Sequence, residues 1–395
     1  MTTSQPSGLH ILIVGAGFAG LSAAIECTRK GHRVTLFEKV SSIDEITRYG
    51  DIISFDPNGS RAFEKWVFPD TSSVAERMEE ISRQTEWLDL FHYQGEFLTR
   101  QSFAEENRWG RRINGHRGEL HRLVYEFVKT RKEEVEVRLG VRVVEYFESD
   151  GDEKKGPHAG VVIKGPDGKM EKVMGDAVLA AEGVRSRGRK LVLGLEEEDE
   201  QPKSSGYAVY RASMVFTHID DGNIEESWQF PGKPEEALAY LEGWCSVVRE
   251  LVKATPPGRL IDYKLVYREP LPTFVSSKGR VALIGDAAHP FLPTSIQGAS
   301  QSIEDGTVIA TCLELACQSN KRWDMSKEQV VPTALKAYEK LRYKRVHKAQ
   351  AMGPKTRERW HKADWNGPEG VWKVPEKLWL LREEWLLGFD AEGDT

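Results

Sequence analysis

A strand that must run straight into a glycine turn limits this chain most. "HILIVGAGFAG", residues 10–20, joins an apolar run of strand length to the spacing GxGxxG, formed by Gly15, Gly17 and Gly20. "LSAAIECTRKG" continues with small and apolar residues at helical spacing up to Gly31, and "HRVTLFEK" is a second apolar strand ending at Glu38. Together they make a strand–turn–helix–strand unit, the opening of a parallel α/β sheet. In such a unit the first glycine permits the tight turn. The second lets a pyrophosphate approach the backbone, and the third lets the helix pack on the strand. The helix N-terminus offers free N–H groups and its positive dipole end to phosphates. Glu38 falls close to the ~20-residue offset at which a carboxylate reaches ribose hydroxyls. A glycine turn of no function leaves the agreement of strand, helix, Ala24, Gly31 and terminal acid unexplained. The unit reads as a dinucleotide cradle, for NAD or FAD alike.

The rest of the composition removes alternatives. A net charge of −6 over 395 residues lacks the basic footprint of a nucleic-acid binder. The cysteines, Cys27, Cys245, Cys312 and Cys317, form no CxxC pair and no cluster with histidine. That spacing argues against a zinc site or a disulfide framework, and for reduced thiols. The N-terminus shows no charged segment followed by an apolar one, and no apolar run nears the ~20 residues that span a bilayer. The expectation is a soluble, cytoplasmic protein of two or three domains.

Along the chain, 72–90 could be a helical excursion, and "GELHRLVYEFVKTR" is a clearer amphipathic helix with Leu120, Leu123, Val124, Phe127 and Val128 on one face. "VEVRLGVRVVEYF", "AGVVIKG" and "MEKVMGDAVLAAEG", separated by polar turns, suggest a small β-meander. The charged stretch 195–205 is a solvated loop or a domain crossing. "YAVYRASMVFTHI" and "ESWQF" look like strands, and "PEEALAYLEGWCSVVRELVKATP" like one amphipathic helix. The basic run "KLRYKRVHK" reads as a solvated helix face, and the five tryptophans from Trp360 to Trp385 as a cap on a core.

"LIGDAAHPFLPTSIQGASQSIEDG", residues 283–306, chooses between the dinucleotides. Ligands of a doubly wound sheet lie outside the carboxyl ends of its strands, where Asp286 follows "RVALIG". A carboxylate there can bond a ribityl hydroxyl. Gly298 and Ala299 open a helix whose N-terminal amides could face the N1–C2 carbonyl edge of a flavin and stabilise charge on its reduced form. A plain surface loop does not explain two prolines before a bare glycine at a helix start.

GAGFAG with Glu38, together with "GDAAHPFLPTSIQGASQSIEDG", resembles the single-component FAD-dependent aromatic monooxygenases, the p-hydroxybenzoate and salicylate hydroxylases, and most of all their fungal salicylate-hydroxylase-like branch. The resemblance runs from about His10 to Trp385. It implies a Rossmann-like FAD-binding domain with an inserted β-sheet substrate domain and a helical tail. The corresponding division is 1–71, 101–205 and 273–350 for FAD, 72–100 and 206–272 for substrate, and 351–395 for the tail. Gly15, Gly17, Gly20, Glu38, Arg117 and Asp286 would bind FAD, with Gly298 and Ala299 near the ring and Gly50, in "RYGDIISFDPNGSR", in a flavin-contacting turn. Arg117 precedes a helix, within sensible reach of the pyrophosphate or ribityl chain; without the resemblance it would pass for a surface arginine. Arg211, in "YAVYRAS", matches an arginine lining the active site of fungal relatives, and an outward strand arginine is an equal reading of it.

The implied activity is hydroxylation or epoxidation of a small aromatic or secondary-metabolite substrate, using NADPH or NADH and O2, by way of a C4a-hydroperoxyflavin. No second GxGxxG is present, as suits a family whose nicotinamide docks without its own Rossmann domain. Two features depart from the pattern. The family's Ala-Asp-Gly motif is "AAEG" here, so Glu182 carries the charge one methylene further. The middle of the chain is also shorter by several tens of residues, with pocket-walling strands and an aromatic partner of the arginine missing. An open pocket or lost efficient catalysis would follow. A non-oxygenating flavin oxidoreductase and a catalytically impaired FAD-binding homologue therefore stand beside the monooxygenase reading. The substrate, NADH against NADPH, and the oligomeric state are not written in the sequence.

Overall fold

The computed structural model describes all residues except 1–7, 48–51, 83–84, 150–157, 196–201, 213–228, 257, 259, 324–325 and 363–377. At its centre is a five-stranded parallel sheet, ordered Val281–Leu283, Ala177–Ala180, His10–Val14, Arg33–Phe37, Val135–Arg138. Its inner strands are apolar on both faces because helices cover them, and Ile11, Leu12, Ile13, Leu36 and Leu179 are all fully buried. Two of those helices, Phe18–Arg29 and the long Gly298–Trp323, pack on each other closely enough that a Cβ on Gly306 would lie 2.4 Å from the Ser22 hydroxyl.

Several sequence expectations divide once long-range pairing is imposed. "VEVRLGVRVVEYF" turns at Gly140 (φ +70°). Its first half takes the edge of the parallel sheet, while Arg142–Glu148 joins Ala159–Lys164 and Met170–Gly175 in the antiparallel meander. The helix expected over 72–90 is confined to Val74–Ile81, opened by a capping box in which Ser73 and Glu76 bond each other's backbone N–H groups. Trp87–Phe91 is instead a strand paired with Phe97–Ser102, so cross-strand pairing overrides helical spacing there. The single amphipathic helix expected from 234 breaks at Gly243 (φ +78°) into Pro234–Ala239 and Ser246–Lys253. Lys203–Ala212 and Gln229–Pro231 flank Leu260–Tyr267 in a small antiparallel sheet.

The basic run also needs correction. Arg342 is wholly buried, with Nε donating to Asp305 (2.8 Å) and Nη1 to Glu304. Sequence spacing alone could not reveal acids on another helix as its partners. Of the five tryptophans, Trp360 bonds the Leu378 carbonyl, Trp379 bonds Thr99, and Trp385 packs beside buried Leu386 and Leu387. Trp365 and Trp372 lie outside the described residues.

Candidate cofactor site

The glycine turn lies at the carboxyl end of the first strand, and each of its glycines meets a different demand. Gly15 has φ +102°, which an L side chain resists, and a Cβ there would lie 2.5 Å from the Ala181 carbonyl. A Cβ on Gly20 would lie 1.8 Å from the Gly15 carbonyl oxygen, so the helix approaches the turn as closely as backbone allows. Gly17 differs. It is extended, at φ −73° and ψ −179°, and a Cβ there would meet nothing within 4 Å. The space above it is open. The first turn of Phe18–Arg29 has no side-chain cap and no acidic residue, leaving its N–H groups facing that space.

The Ala16 peptide is held from both sides. Its N–H donates to Glu38 Oε2 (2.7 Å), and the other Glu38 oxygen accepts from Val40 N–H (3.1 Å). Each oxygen thus keeps acceptor capacity for a hydroxyl. The Ala16 carbonyl accepts from His121 Nε2 (2.6 Å), on the helix Arg117–Lys129. Burial, aided by the Arg117 charge and against the Ala16 bond, lowers the His121 imidazole to about 4, so it sits neutral with its proton on Nε2.

Opposite the cradle, Gly285–Ala287 forms a short turn after the strand Val281–Leu283. It is clamped from within. The Gly285 N–H donates to Asp305 Oδ2 (2.7 Å), His289 Nε2 bonds the same oxygen (2.6 Å), and Arg189 Nη1 donates to the Ala287 carbonyl (2.8 Å). A Cβ on Gly285 would lie 2.7 Å from Ala19 Cβ, which sets this turn directly against the cradle helix. Burial opposes the Asp305 charge, but His289 and Arg342 outweigh it and hold the carboxyl at about 2.

Asp286 is the outward member of this turn. It is solvent-accessible between buried neighbours Gly285 and Ala287, and accepts no hydrogen bond among the described residues. Its carboxylate is accessible to solvent yet has protein atoms around it, in the groove between this turn and the cradle helix. That enclosure raises its carboxyl above the usual range, with His289 and Arg117 pulling the other way. Arg117 makes no hydrogen bond or ion pair among the described residues, so the groove presents a free guanidinium and a free carboxylate from positions 169 apart in sequence. Unpaired amides, an open glycine, an idle cation and an idle carboxylate suit a pyrophosphate carrying polyol and ribose hydroxyls. The residues fit FAD.

The long helix begins at Gly298, which stands against Phe291, with Ala299 half-buried beside it. Glu182, at the position of the expected aspartate, bonds its own loop and the neighbouring meander strand. Its Oε2 accepts from Tyr146 (2.5 Å), Ser186 (2.8 Å) and the Arg187 N–H (3.0 Å). Burial raises its carboxyl against these bonds. Arg211 stands on the strand Lys203–Ala212 opposite Ile261, and Gly50 lies outside the described residues.

Sequence reasoning missed the supports: His121 under the cradle, and Asp305, His289 and Arg189 under the Asp286 turn. One signal was available, the adjacent acids Glu304 and Asp305 in the first half of a helix whose neighbours there carry no charge.

A family profile described as an NAD(P)-binding Rossmann-like domain matches residues 13–65. The FAD-dependent monooxygenase nanF of Aspergillus nanangensis is 30% identical, with all of this chain and 90% of the relative covered. The 395 residues align with it over 450 positions, so the relative carries stretches without counterpart here. Asperlicin C monooxygenase of Petromyces alliaceus is 31% identical over 99% of this chain and 88% of its own length. Among solved structures, CtdE in complex with FAD and a substrate superposes with a TM-score of 0.78 at 28% identity, covering 98% of this chain and 96% of that one. FqzB gives 0.75 at 32%, covering 100% and 93%. A salicylate hydroxylase substrate complex shares the fold, with a TM-score of 0.67 at 20% identity over 98% and 97% of the two chains.

Proposed function

The chain belongs to the fungal FAD-dependent monooxygenases, and on that premise we propose that it takes electrons from NADPH or NADH and places one atom of O2 on a small aromatic or secondary-metabolite substrate, by hydroxylation or epoxidation. The observation that carries the cofactor half is the groove in which Asp286, Arg117 and the open space over Gly17 converge with no partners of their own. FAD, when bound, supplies hydride acceptance and oxygen activation.

The chain's residues do the rest. The first-turn amides after Gly17 and the Arg117 guanidinium take the pyrophosphate, with Gly15 and Gly20 allowing the approach. Glu38 takes the ribose of the adenosine half. Asp286 bonds the ribityl chain, and the Gly298 and Ala299 amides receive the polar edge of the ring, where a helix N-terminus favours negative charge. Arg211 orients the substrate and steadies a phenolate-like oxygen. Nicotinamide docks transiently on the surface, since the one dinucleotide cradle is taken. Among the described residues no helix is long and apolar enough to cross a membrane.

The test is product analysis. Purified protein should carry FAD and oxidise NAD(P)H faster with substrate, and heavy oxygen from labelled O2 should enter the product. A product gaining its oxygen from water, or a desaturated product without added oxygen, would overturn the oxygenase reading. Protein carrying no flavin would overturn the site itself.

A further inference from the structure

The C-terminal stretch from Leu378 onward crosses the hairpin Trp87–Phe91/Phe97–Ser102 and reaches Asp56 beyond it. The Gln101 side chain bonds both the N–H (2.8 Å) and the carbonyl (3.0 Å) of Leu380, and Trp379 donates to Thr99 (3.2 Å). Arg382 then turns inward. Its two terminal nitrogens donate to the two oxygens of Asp56 (2.8 and 2.7 Å), and Nε donates to Glu106 (2.5 Å). Asp56 is fully buried. Beyond Arg382 the chain packs Leu386 and Leu387 beside Phe291, the residue Gly298 stands against.

Asp56 connects this strap to the head of the long helix. Its Oδ2 also accepts from Gln297 Nε2 (2.5 Å), and its N–H donates to Ser300 Oγ (2.9 Å). Gln297 immediately precedes Gly298. A second observation shows why that point needs holding. Ile296 sits at φ +53°, a left-handed conformation that a β-branched residue keeps only when its surroundings over-determine it. The fixed Gln297 side chain is one such determinant, because Asn58 Nδ2 grips its other end (3.2 Å).

We propose that Arg382 is a positioning residue for the flavin: through Asp56 and Gln297 it fixes the turn at Ile296–Gly298, which makes the C-terminal strap part of the cofactor site. The inference rests on the reading that the flavin's polar edge faces this helix start. Arg382 touches no reacting atom.

The test uses full-length holoprotein, with Arg382→Gln, the double variant Arg382→Gln/Asp56→Asn, and Gln297→Leu, which leaves the Arg382–Asp56 pair intact. FAD dissociation constant, the visible spectrum and two-electron potential at saturating FAD, and thermal stability are measured for each. Arg382→Gln should weaken FAD by about tenfold, as for a network residue lying off the ligand, and change the flavin band shape and potential. With Arg382 gone, Asp56 keeps as ion-pair partner among the described residues only Arg112 Nε at 3.4 Å, so the double variant should regain part of the lost thermal stability while its flavin signals stay altered. Gln297→Leu should reproduce the altered signals, and it decides the matter if Arg382→Gln does not fold. Wild-type dissociation constant, spectrum and potential in Gln297→Leu or in the double variant would overturn the proposal. Wild-type protein that binds no FAD would instead overturn the reading it rests on.

Discussion

Replacing Gly17 by alanine should remove FAD and spare the fold. The residue adopts a conformation open to any L side chain, and the added methyl would meet no protein atom within 4 Å. Two small terms then oppose in the apoprotein. Fewer unfolded conformations favour alanine by about 0.4–1 kcal/mol. Alanine is the poorer residue ahead of a helix's first turn, by about 0.5–1 kcal/mol. They nearly cancel, so the apoprotein melting temperature should move by no more than about 2–4 °C. In the holoprotein the methyl occupies the space the pyrophosphate must enter to reach the first-turn amides. Losing two hydrogen bonds to a charged group, at about 1.5–3 kcal/mol each, removes about 3–6 kcal/mol. That corresponds to a dissociation constant raised at least a hundredfold, on the order of 1.4 kcal/mol per factor of ten. Gly20→Ala is the contrast. Its Cβ would lie 1.8 Å from the Gly15 oxygen, so the cradle helix must shift, at a cost of about 3 kcal/mol or more, and the apoprotein itself should fail. Titrating FAD into apoprotein while following flavin fluorescence, with melts in parallel, separates the two. A Gly17→Ala protein that binds FAD like the wild type would refute the placement of the pyrophosphate. One that melts like Gly20→Ala would refute the claim that Gly17 is free of folding duties.

Asp286→Asn should weaken FAD yet stabilise the empty protein at neutral pH. The enclosed carboxyl titrates above its unfolded value, so its contribution to apoprotein stability is present when protonated and is lost as pH rises through the folded value. The gain in melting temperature should therefore be seen at neutral pH and vanish in acid. A uniform gain at both would show that charge is not the cause. Asp305→Asn runs the other way. A carboxyl held at about 2 contributes stability above its unfolded value and loses it as pH falls toward 2. Leaving Arg342 and His289 around a neutral amide should cost about 3–5 kcal/mol at neutral pH in urea unfolding. The deficit should close between about pH 4 and pH 2.

What could be read in advance was local. Gly15, Gly17, Gly20 and Glu38 lie within one strand–turn–helix–strand unit, and Asp286 and Gly298 within one loop, so spacing along the chain stands for spacing in space. What could not be read depends on partners far along the chain. Arg342 passes for a solvated cation until Glu304 and Asp305 meet it from another helix. Trp87–Phe91 passes for helix until Phe97–Ser102 pairs with it. Arg382 and Asp56, 326 positions apart, carry no local signature at all. The departure at Glu182 was legible as a substitution, but its consequence was not: the longer side chain is spent on Tyr146, Ser186 and the Arg187 amide.

The start of the long helix shows why so much polarity is buried beside the cofactor groove. Gln297, Ser300, Gln301, Glu304 and Asp305 are all fully buried, in a place where apolar side chains of equal volume would be at least as stabilising. Apolar contact is non-directional, so a helix packed by leucines alone keeps its stability under small slides and rotations. Directional bonds remove that freedom. Glu304 is gripped by Arg342 and Arg345, Asp305 by Arg342, His289 and the Gly285 amide, and Gln297 by Asp56 and Asn58. Asp305 thereby ties the helix to the turn that presents Asp286, and Gln297 ties its first residues to the strap. The two ends of a flavin, its ribityl chain and its ring edge, would then be met by groups whose separation is set through one helix. The folded chain gives up some packing energy to hold that separation constant, and on the proposed binding mode Asp286 and Gly298 are the residues that would use it.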